Sequence, residues 1–503
     1  MIRVLPVGGG RRDARVGVAG APQTPSERWG RRAKAWSIVA GALLLAACAQ
    51  IDFERSLADA NRDAATFTRG QLALSRSAEA DRARTQRAAA LLAAPLGQAE
   101  AVELALAHSP ALQALLAERW AEAAATAQAA RIANPVFSFE RIRTGGELEI
   151  SRMLSFGLFD LLTLPARRTL AEQRLAAARR QLTGEVVDHV TQLRQAWVRA
   201  VAARESLTYA RQVRDSAEVS AELARRMQAV GNFNRLSRAR QQLFYADAAT
   251  QLALAEQAER STREQLVRLL GLHGAQVDAL KLPDRLPEVP RSVAQPQAWA
   301  RDAADTRLDI RLARARLDAA AQAQGLGRLT SVVDAEVGVR RGTVWPADGA
   351  ASEAAHGWDA ALRLPLFDGG GLRREALNAQ TLAAVNTLEA TTRAAESQLR
   401  EGYAHYRSAW ALARHQRDEV VPLRQLMQEE NLLRYNGMLI GVFELLADAR
   451  EQVQSVRAAI AAAEQFWLAD AALQAHLIGR PSAATSPTLS APRATGAPDA
   501  AAH

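Results

Sequence analysis

Gly231-Asn232-Phe233-Asn234-Arg235-Leu236-Ser237-Arg238-Ala239-Arg240-Gln241-Gln242 is matched 210 residues later by Gly441-Val442-Phe443-Glu444-Leu445-Leu446-Ala447-Asp448-Ala449-Arg450-Glu451-Gln452. Glycine, phenylalanine, leucine, alanine, arginine and glutamine agree at equal offsets. Upstream, Ala196-Trp197 is matched by Ala409-Trp410 at an offset of 213. Two halves of about 200 residues therefore share one plan, and we predict a fold built from one unit used twice.

The chain begins with the pattern of an export signal. Basic residues precede a mostly apolar run, residues 35–47, which ends in Leu45-Ala46-Ala47-Cys48. The run is too short to span a bilayer and has the length of a secretory signal. Its end resembles a bacterial lipobox, which implies that residues 1–47 are a lipoprotein signal peptide with a long N-terminal extension. Cys48, the only cysteine in the chain, would carry the lipid anchor (palmitate); a buried structural cysteine is the alternative.

The net charge of the chain gives little support to nucleic-acid binding. The formal charge is +9, but eight basic and two acidic residues among the first 47 account for +6 of it, which leaves +3 for the rest. A nucleic-acid-binding domain needs a strong basic patch. We therefore expect no nucleic-acid partner.

Alternation of apolar and polar residues predicts two pairs of β-strands. Phe137 and Phe139 alternate with polar residues, and a second alternating run follows Thr144-Gly145-Gly146, a hairpin-turn sequence. The second half repeats the pattern with a longer loop. The predicted strand pairs are 135–155 and 332–365.

Helical periodicity fills most of the remaining sequence. Apolar residues at steps of three and four predict long helices that follow each strand pair and turn back at the repeated Gly-x-Phe element. Pro422 marks an expected kink. The predicted helices are 166–229, 234–270, 372–436 and 442–478, and the predicted divisions are an arm, extended or partly helical (48–95), a first repeat (96–280), a proline-rich linker (281–296), a second repeat (297–479) and a disordered tail (480–503).

Taken together, these features resemble the TolC-type outer-membrane efflux proteins in their lipid-anchored form. The resemblance covers about residues 96–479. It implies a homotrimer in which four strands per subunit form a twelve-stranded β-barrel and long antiparallel helical hairpins form an α-barrel in the periplasm. The segments that carry it are 101–112 (AVELALAHSPAL), Asn134-Pro135, 364–371 (LPLFDGGG) and Arg434-Tyr435.

The same resemblance implies the partners and the site residues. The partners are a periplasmic adaptor protein, an inner-membrane pump and outer-membrane lipids, and Ala49 after the cysteine implies the outer membrane. The alternation places charged residues on the inner face of a barrel, or on the wet face of a small soluble sheet. The expected lumen residues are Glu140, Glu149, Asp334, Glu336, Asp359 and Arg363.

The hairpin tips are expected to meet the adaptor and to close the tunnel. Glycine at each turn permits a positive φ, and Glu444 and Asp448 are candidate gate carboxylates. Alternatively, these two acids are solvated charges at a helix start, favoured by the helix dipole. The first copy has Asn234 in place of Glu444. The expected tip residues are Gly231, Phe233, Asn234, Gly441, Phe443, Glu444 and Asp448.

No sequence pattern indicates an enzyme. The histidines are scattered without a metal-binding spacing, and Gly369-Gly370-Gly371 lacks the Gly-Lys-Ser/Thr ending of a phosphate loop. We expect no cofactor and no metal. The predicted function is a passive trans-periplasmic exit duct for small molecules or metal ions in a tripartite efflux system. The alternative is a periplasmic coiled-coil lipoprotein that acts as a scaffold or adaptor without a pore.

Overall fold

The structure of the chain is a computed structural model, which describes residues 53–68, 71–293, 307–330, 334–363, 367 and 369–481. These residues belong to one compact unit that begins at residue 52. The predicted signal peptide and Cys48 lie outside the described residues. So do residues 294–306, and almost all of the predicted tail.

The described residues form a mainly helical fold with one small sheet, as the fold class predicted. In chain order, the elements are α1 (Phe53–Thr68), α2 (Ala78–Leu92), α3 (Gln98–His108), α4 (Pro110–Ala129), β1 (Val136–Thr144), β2 (Glu147–Gly157), α5 (Leu158–Leu162), α6 (Leu164–Ala229), α7 (Arg235–Leu270), α8 (Ala275–Ala279), α9 (Leu308–Thr330), β3 (Asp334–Trp345), β4 (Glu353–Arg363), α10 (Gly371–His415), a π-helical turn (Gln416–Val420), α11 (Val421–Asn436) and α12 (Val442–Ile478).

The first helical hairpin is α6 followed by α7. Helix α6 has 66 residues and is therefore about 99 Å long at 1.5 Å per residue. Its apolar residues at three- and four-residue steps are buried, which confirms the periodicity that predicted the helix. Helix α7 ends at Gly271, whose φ of 73° is a left-handed helix cap. The buried residues of this stripe include Leu182, Val186, Val190, Leu193 and Trp197.

The second helical hairpin is interrupted where its sequence contains proline. A kink was expected at Pro422. Instead, α10 passes into a π-helical turn, Gln416–Val420, and α11 restarts with Pro422 in its first turn. Proline has no N–H to donate and disturbs the preceding turn, so the helix absorbs the break just before the proline.

The arm before the first repeat is largely helical and contributes to the core. Phe53, Leu57, Ala60, Ala64 and Phe67 are all buried, and α1 packs along α6. Their spacing of four, three, four and three residues is that of one helix face. The arm therefore stabilises the long helix.

Two tryptophans show the duplication in three dimensions. The indole Nε1 of Trp197 donates to the carbonyl of Leu96 at 2.9 Å, and that of Trp410 donates to the carbonyl of Pro290 at 2.8 Å. Each helix thus holds a connecting segment in the same way. Both tryptophans also pack in hydrophobic clusters, so they are packing groups.

The four strands form one antiparallel sheet in the order β1-β2-β3-β4. Gly145 and Gly146 have φ of 59° and 93°, the positive values that a two-residue hairpin turn requires. Strands β2 and β3 join the two halves of the chain. In a single chain, β1 and β4 are therefore edge strands without a neighbour on one side.

Among the described helices, none combines the length and the apolar character needed to cross a membrane.

Candidate functional site: two sheet faces and two hairpin tips

The strand register places the acidic residues of the sheet on one face, here called the acidic face. In β1 and β2, Glu140 lies opposite Ser151, and Glu149 lies opposite Ile142. In β3 and β4, Gly338 lies opposite Asp359. The register places seven acidic residues on this face, namely Glu140, Glu147, Glu149, Asp334, Glu336, Glu353 and Asp359.

One arginine on the acidic face lies close to two carboxylates. Arg340 Nη2 lies 3.3 Å from Glu149 Oε1 and 3.9 Å from Glu140 Oε2, so one arginine from the second half joins two glutamates from the first. The register also places Arg363 on the acidic face, opposite Asp334. The predicted lumen residues therefore share one face, with more acids than arginines on it.

The opposite face, here called the apolar face, carries large side chains that no other described residue covers. Phe137 is 65% exposed, and Trp358 is 79% exposed. One row of directly paired residues crosses the sheet on this face and consists of Phe137, Leu154, Val339 and Trp358. Monomeric soluble proteins rarely expose so large a contiguous apolar patch, so this face is built to meet another surface.

Two residues shape the first hairpin tip. Gly231 has φ of 83°, a conformation that side chains other than glycine rarely adopt. The side chain of Asn234 caps helix α7, because its Oδ1 accepts a hydrogen bond from the N–H of Ser237 at 2.8 Å. Phe233, which lies between these two residues in the sequence, is buried, with 8% of its surface exposed. The tip is a fixed turn.

The second tip places the repeated glycine at a different position of the turn. Gly441 was expected to take a positive φ, but its φ is −84° and it starts helix α12 in an extended conformation. Met438 takes the left-handed position instead, with φ of 59°. Each turn has five residues between its helices, 230–234 and 437–441, but relative to the sequence repeat the second turn reverses three residues earlier. The repeated glycine therefore marks the helix start in this copy and the reversal in the other.

The two candidate gate acids have different environments. Glu444 is exposed in the first turn of α12, where the helix dipole favours a negative charge. Asp448 is buried at 8% exposure, and its Oδ2 has no hydrogen-bond partner among the described residues. The solvated-charge interpretation therefore fits Glu444 in the single chain but does not fit Asp448.

The two helical hairpins are in contact at Arg240 and Arg450, each of which lies nine residues after the repeated glycine. Arg450 Nη2 donates to the carbonyl of Arg240 and to Gln241 Oε1, both at 3.2 Å. The guanidinium also lies 4.6 Å from the ring centroid of Phe244. This contact between repeat-equivalent segments holds the two tips at the same end of the helices.

No protein-family model and no curated protein sequence matches the chain. Solved structures do match. A membrane protein from Pseudomonas aeruginosa superposes with a TM-score of 0.63 at 20% identity, over 76% of this chain and 93% of the other. The outer-membrane protein VceC of Vibrio cholerae gives 0.61 at 18%, over 76% and 96%. The open MtrE outer-membrane channel of Neisseria gonorrhoeae gives 0.60 at 16%, over 76% and 89%.

The chain has the TolC-type fold. At identities of 20% and below, the likeness establishes the fold.

Within the TolC-type fold, a partly buried carboxylate lies in the helical body. Burial raises the pKa of Asp470 on α12 to about 6, although Arg194 and a hydrogen bond from Gln474 act in the opposite direction. Gln474 Nε2 donates to Asp470 Oδ2 at 2.6 Å, and Arg194 Nη1 donates to Gln474 Oε1 at 2.7 Å. Sequence reasoning missed this group, since a lone aspartate on a long helix gives no signal.

A second buried network also escaped the sequence analysis. The Arg307 side chain, 1% exposed, pairs with both carboxylate oxygens of Asp309 at 2.7 and 3.1 Å. It also donates to the carbonyls of Ala395 and His476 at 3.3 and 3.0 Å. This arginine connects the start of α9 to α10 and α12. Its partners are far apart in the sequence, so sequence patterns could not predict the network.

Among the described residues there is no cluster of three metal-ligating side chains.

Proposed function

We propose that this chain is the outer-membrane channel component of a tripartite efflux system. Three copies close into one water-filled passage, which serves as a passive exit duct for small molecules or metal ions. The observation that carries the proposal is the sheet. It has one uncovered apolar face, one acidic face and two open edges.

The two faces fit a barrel wall between lipid and water. In a transmembrane barrel, apolar residues face the lipid and polar residues face the lumen, with strict alternation along each strand. The observed strands have 9, 11, 12 and 11 residues, and about 9–11 tilted residues span a bilayer. The lumen residues would be Glu140, Glu149, Asp334, Glu336, Asp359 and Arg363.

The open edges require further copies of the chain. Four strands leave β1 and β4 unpaired at the edges, and exposed edges invite pairing with another chain. Two copies would give eight strands, a number at which interior side chains fill a barrel. Three copies give twelve strands and leave room for water, so a homotrimer is the smallest closed assembly with a passage.

The helices support a tunnel that continues from the barrel. Helix α6 is about 99 Å long, and apolar side chains on the second hairpin remain exposed in the single chain. Packing against neighbouring subunits would bury them in an α-barrel. The exposed residues on α11 include Leu423, Leu426, Met427, Leu432 and Leu433.

The hairpin tips are the proposed contact with a periplasmic adaptor protein that joins the duct to an inner-membrane pump. Gly231, Asn234 and Gly441 shape the two turns, with Phe233 buried behind the first. Phe443 holds the equivalent sequence position in the second copy. In a trimer, three copies of Glu444 and three of Asp448 would lie around one axis and could form a gate.

The proposed location is the bacterial outer membrane, with the helices in the periplasm. The lipobox-like sequence before Cys48 supports an additional lipid anchor on the mature chain. A myristoyl-sized chain alone binds a membrane weakly, so the anchor would assist insertion of the barrel.

The second candidate, a scaffold or adaptor lipoprotein without a pore, is favoured by the length of the helical hairpins alone. It gives no reason for the apolar face of the sheet. A scaffold would have to cover Phe137 and Trp358, which are exposed here.

Planar-bilayer recordings of the purified protein test the proposal. We expect stepwise conductance with a preference for cations, because acids outnumber arginines on the acidic face. The double variant Glu336→Gln/Asp359→Asn should retain conductance and lose part of the cation preference. A protein that conducts no ions under any condition, while remaining folded, would refute the channel and favour the scaffold.

A further inference from the structure

The apolar face of the sheet carries four arginines and no acidic residue. Arg141 and Arg143 follow Phe137 and Phe139 at the same parity on β1, and Arg152 and Arg341 lie on β2 and β3. All four side chains are exposed. Among the described residues, none of them has an ion-pair partner. A surface that is otherwise suited to lipid therefore bears unpaired positive charge.

Two of these arginines are direct neighbours. Arg152 lies opposite Arg341 in the register of β2 and β3, and His356 lies opposite Arg341 on the other side. Like charges placed directly opposite each other destabilise a strand pair. The acidic face of the same strands shows the usual solution, since Arg340 lies 3.3 Å from Glu149. The apolar face lacks such a carboxylate, so an anion that neutralises its arginine pair has to come from outside the sheet.

Arg141 and Arg143 lie on the part of β1 next to its hairpin turn, whereas Arg152 lies at the middle of β2 and Arg341 just beyond the middle of β3. The row Phe137, Leu154, Val339 and Trp358 is nearer the helices, and Arg152 and Arg341 lie two residues further along their strands, about 7 Å away. An arginine on the lipid face is destabilising at the bilayer midplane and nearly neutral at the interface. The long side chains can also extend towards the headgroups. Arg141 and Arg143 therefore lie nearest one lipid–water boundary, and Arg152 and Arg341 belong to that boundary only through the reach of their side chains.

We propose that Arg141, Arg143, Arg152 and Arg341 bind the phosphate groups of anionic lipids in the leaflet next to the hairpin turns. The inference rests on the proposed barrel. A guanidinium forms two parallel hydrogen bonds to a phosphate, and two guanidinium groups on directly paired residues can bind the same phosphate group. Lipid binding neutralises the Arg152–Arg341 pair and fixes the depth of the barrel in the bilayer.

The test is a binding titration of the full-length protein in neutral detergent. The probe is a bisphosphorylated lipid A, compared with the same lipid after removal of its phosphates. The variant Arg152→Gln/Arg341→Gln removes the central pair. Arg340→Gln is the matched control, because it removes an arginine next to Arg341 in sequence but on the acidic face.

We expect the wild-type protein to bind the phosphorylated lipid at least about tenfold more tightly than the dephosphorylated one. The double variant should lose that preference, and Arg340→Gln should keep it within about twofold. Equal binding by the double variant and the wild type would overturn the inference, as would full displacement of the lipid by excess inorganic phosphate. Bilayer conductance of the same preparations separates the two proposals: a conducting protein without lipid preference refutes the lipid site alone.

Discussion

Arginine substitutions at Ala360 and Ala361 test which face of the sheet meets lipid. The two alanines are neighbours on β4, both are exposed, and their side chains lie on opposite faces. Ala360 is paired with Val337 on the apolar face, and Ala361 is paired with Glu336 on the acidic face. The substitutions therefore add the same side chain at the same depth of the sheet.

The expected magnitudes differ because the two environments differ. An arginine on the lipid face of a barrel costs about 2–4 kcal/mol near the midplane and about 0–1 kcal/mol near an interface. Ala360 lies two residues from Trp358 on the side away from the turn, within the apolar rows, so we expect about 2 kcal/mol per subunit for Ala360→Arg. We expect less than about 0.5 kcal/mol for Ala361→Arg, which faces water and the Glu336 carboxylate.

The assay is urea unfolding of both variants in lipid vesicles, followed by the far-ultraviolet signal and by the fraction of intact trimer. Ala360→Arg should shift the midpoint to lower urea and reduce the amount of inserted protein, while Ala361→Arg should match the wild type. In a soluble sheet both alanines would face water. Equal effects of the two substitutions would therefore refute the assignment of the faces.

Three further predictions concern the helical body and the tips. Arg307→Met should destabilise the fold by about 3–5 kcal/mol, since it leaves Asp309 as an unpaired, largely buried charge; a loss below about 1 kcal/mol in urea unfolding would contradict this. Asp470→Asn should stabilise the protein by roughly 2–3 kcal/mol at pH 7.5 and hardly at all at pH 4. The pKa of Asp470 is raised from 3.8 to about 6, so ionisation of this carboxyl increasingly destabilises the folded state as the pH rises between these two values. A stability difference that does not depend on pH would contradict this prediction. Gly231→Val should cost about 1–2 kcal/mol through its positive φ, whereas Gly441→Ser, at an extended helix cap, should be neutral or stabilising; equal losses in thermal melts would contradict the different positions of the two glycines in their turns.

The local periodicity of apolar residues was sufficient to predict most of the fold. Steps of three and four residues predicted the long helices, and the alternation around Phe137 and Trp358 predicted the strand pairs, because these patterns depend only on which side chains share a face. The face shared by the lumen residues followed from the same parity. The internal duplication then predicted that the second half repeats the order of helices and strands in the first half.

The remaining features depend on contacts that sequence patterns do not contain. Gly441 does not reverse the chain, because Met438 does so earlier and the glycine is left at a helix start. The burial of Asp448 and Asp470 depends on which helix faces meet. The spacing of Phe53, Leu57, Ala60, Ala64 and Phe67 did signal helix α1, but the polar composition of the arm hid it.

The arginine pair on the apolar face was also absent from the sequence analysis. Arg152 and Arg341 are far apart in sequence, and only the β2–β3 register brings them together. Strand alternation alone could have placed each on the apolar face. Their direct opposition required the pairing between the two halves of the chain.

Closure of three sheets into one lumen is tested most directly by the mass and the conductance of the same purified sample. In mild detergent the particle should have the mass of three chains, and in a planar bilayer it should produce uniform conductance steps. A particle with the mass of one chain that leaves the bilayer electrically silent would contradict the account.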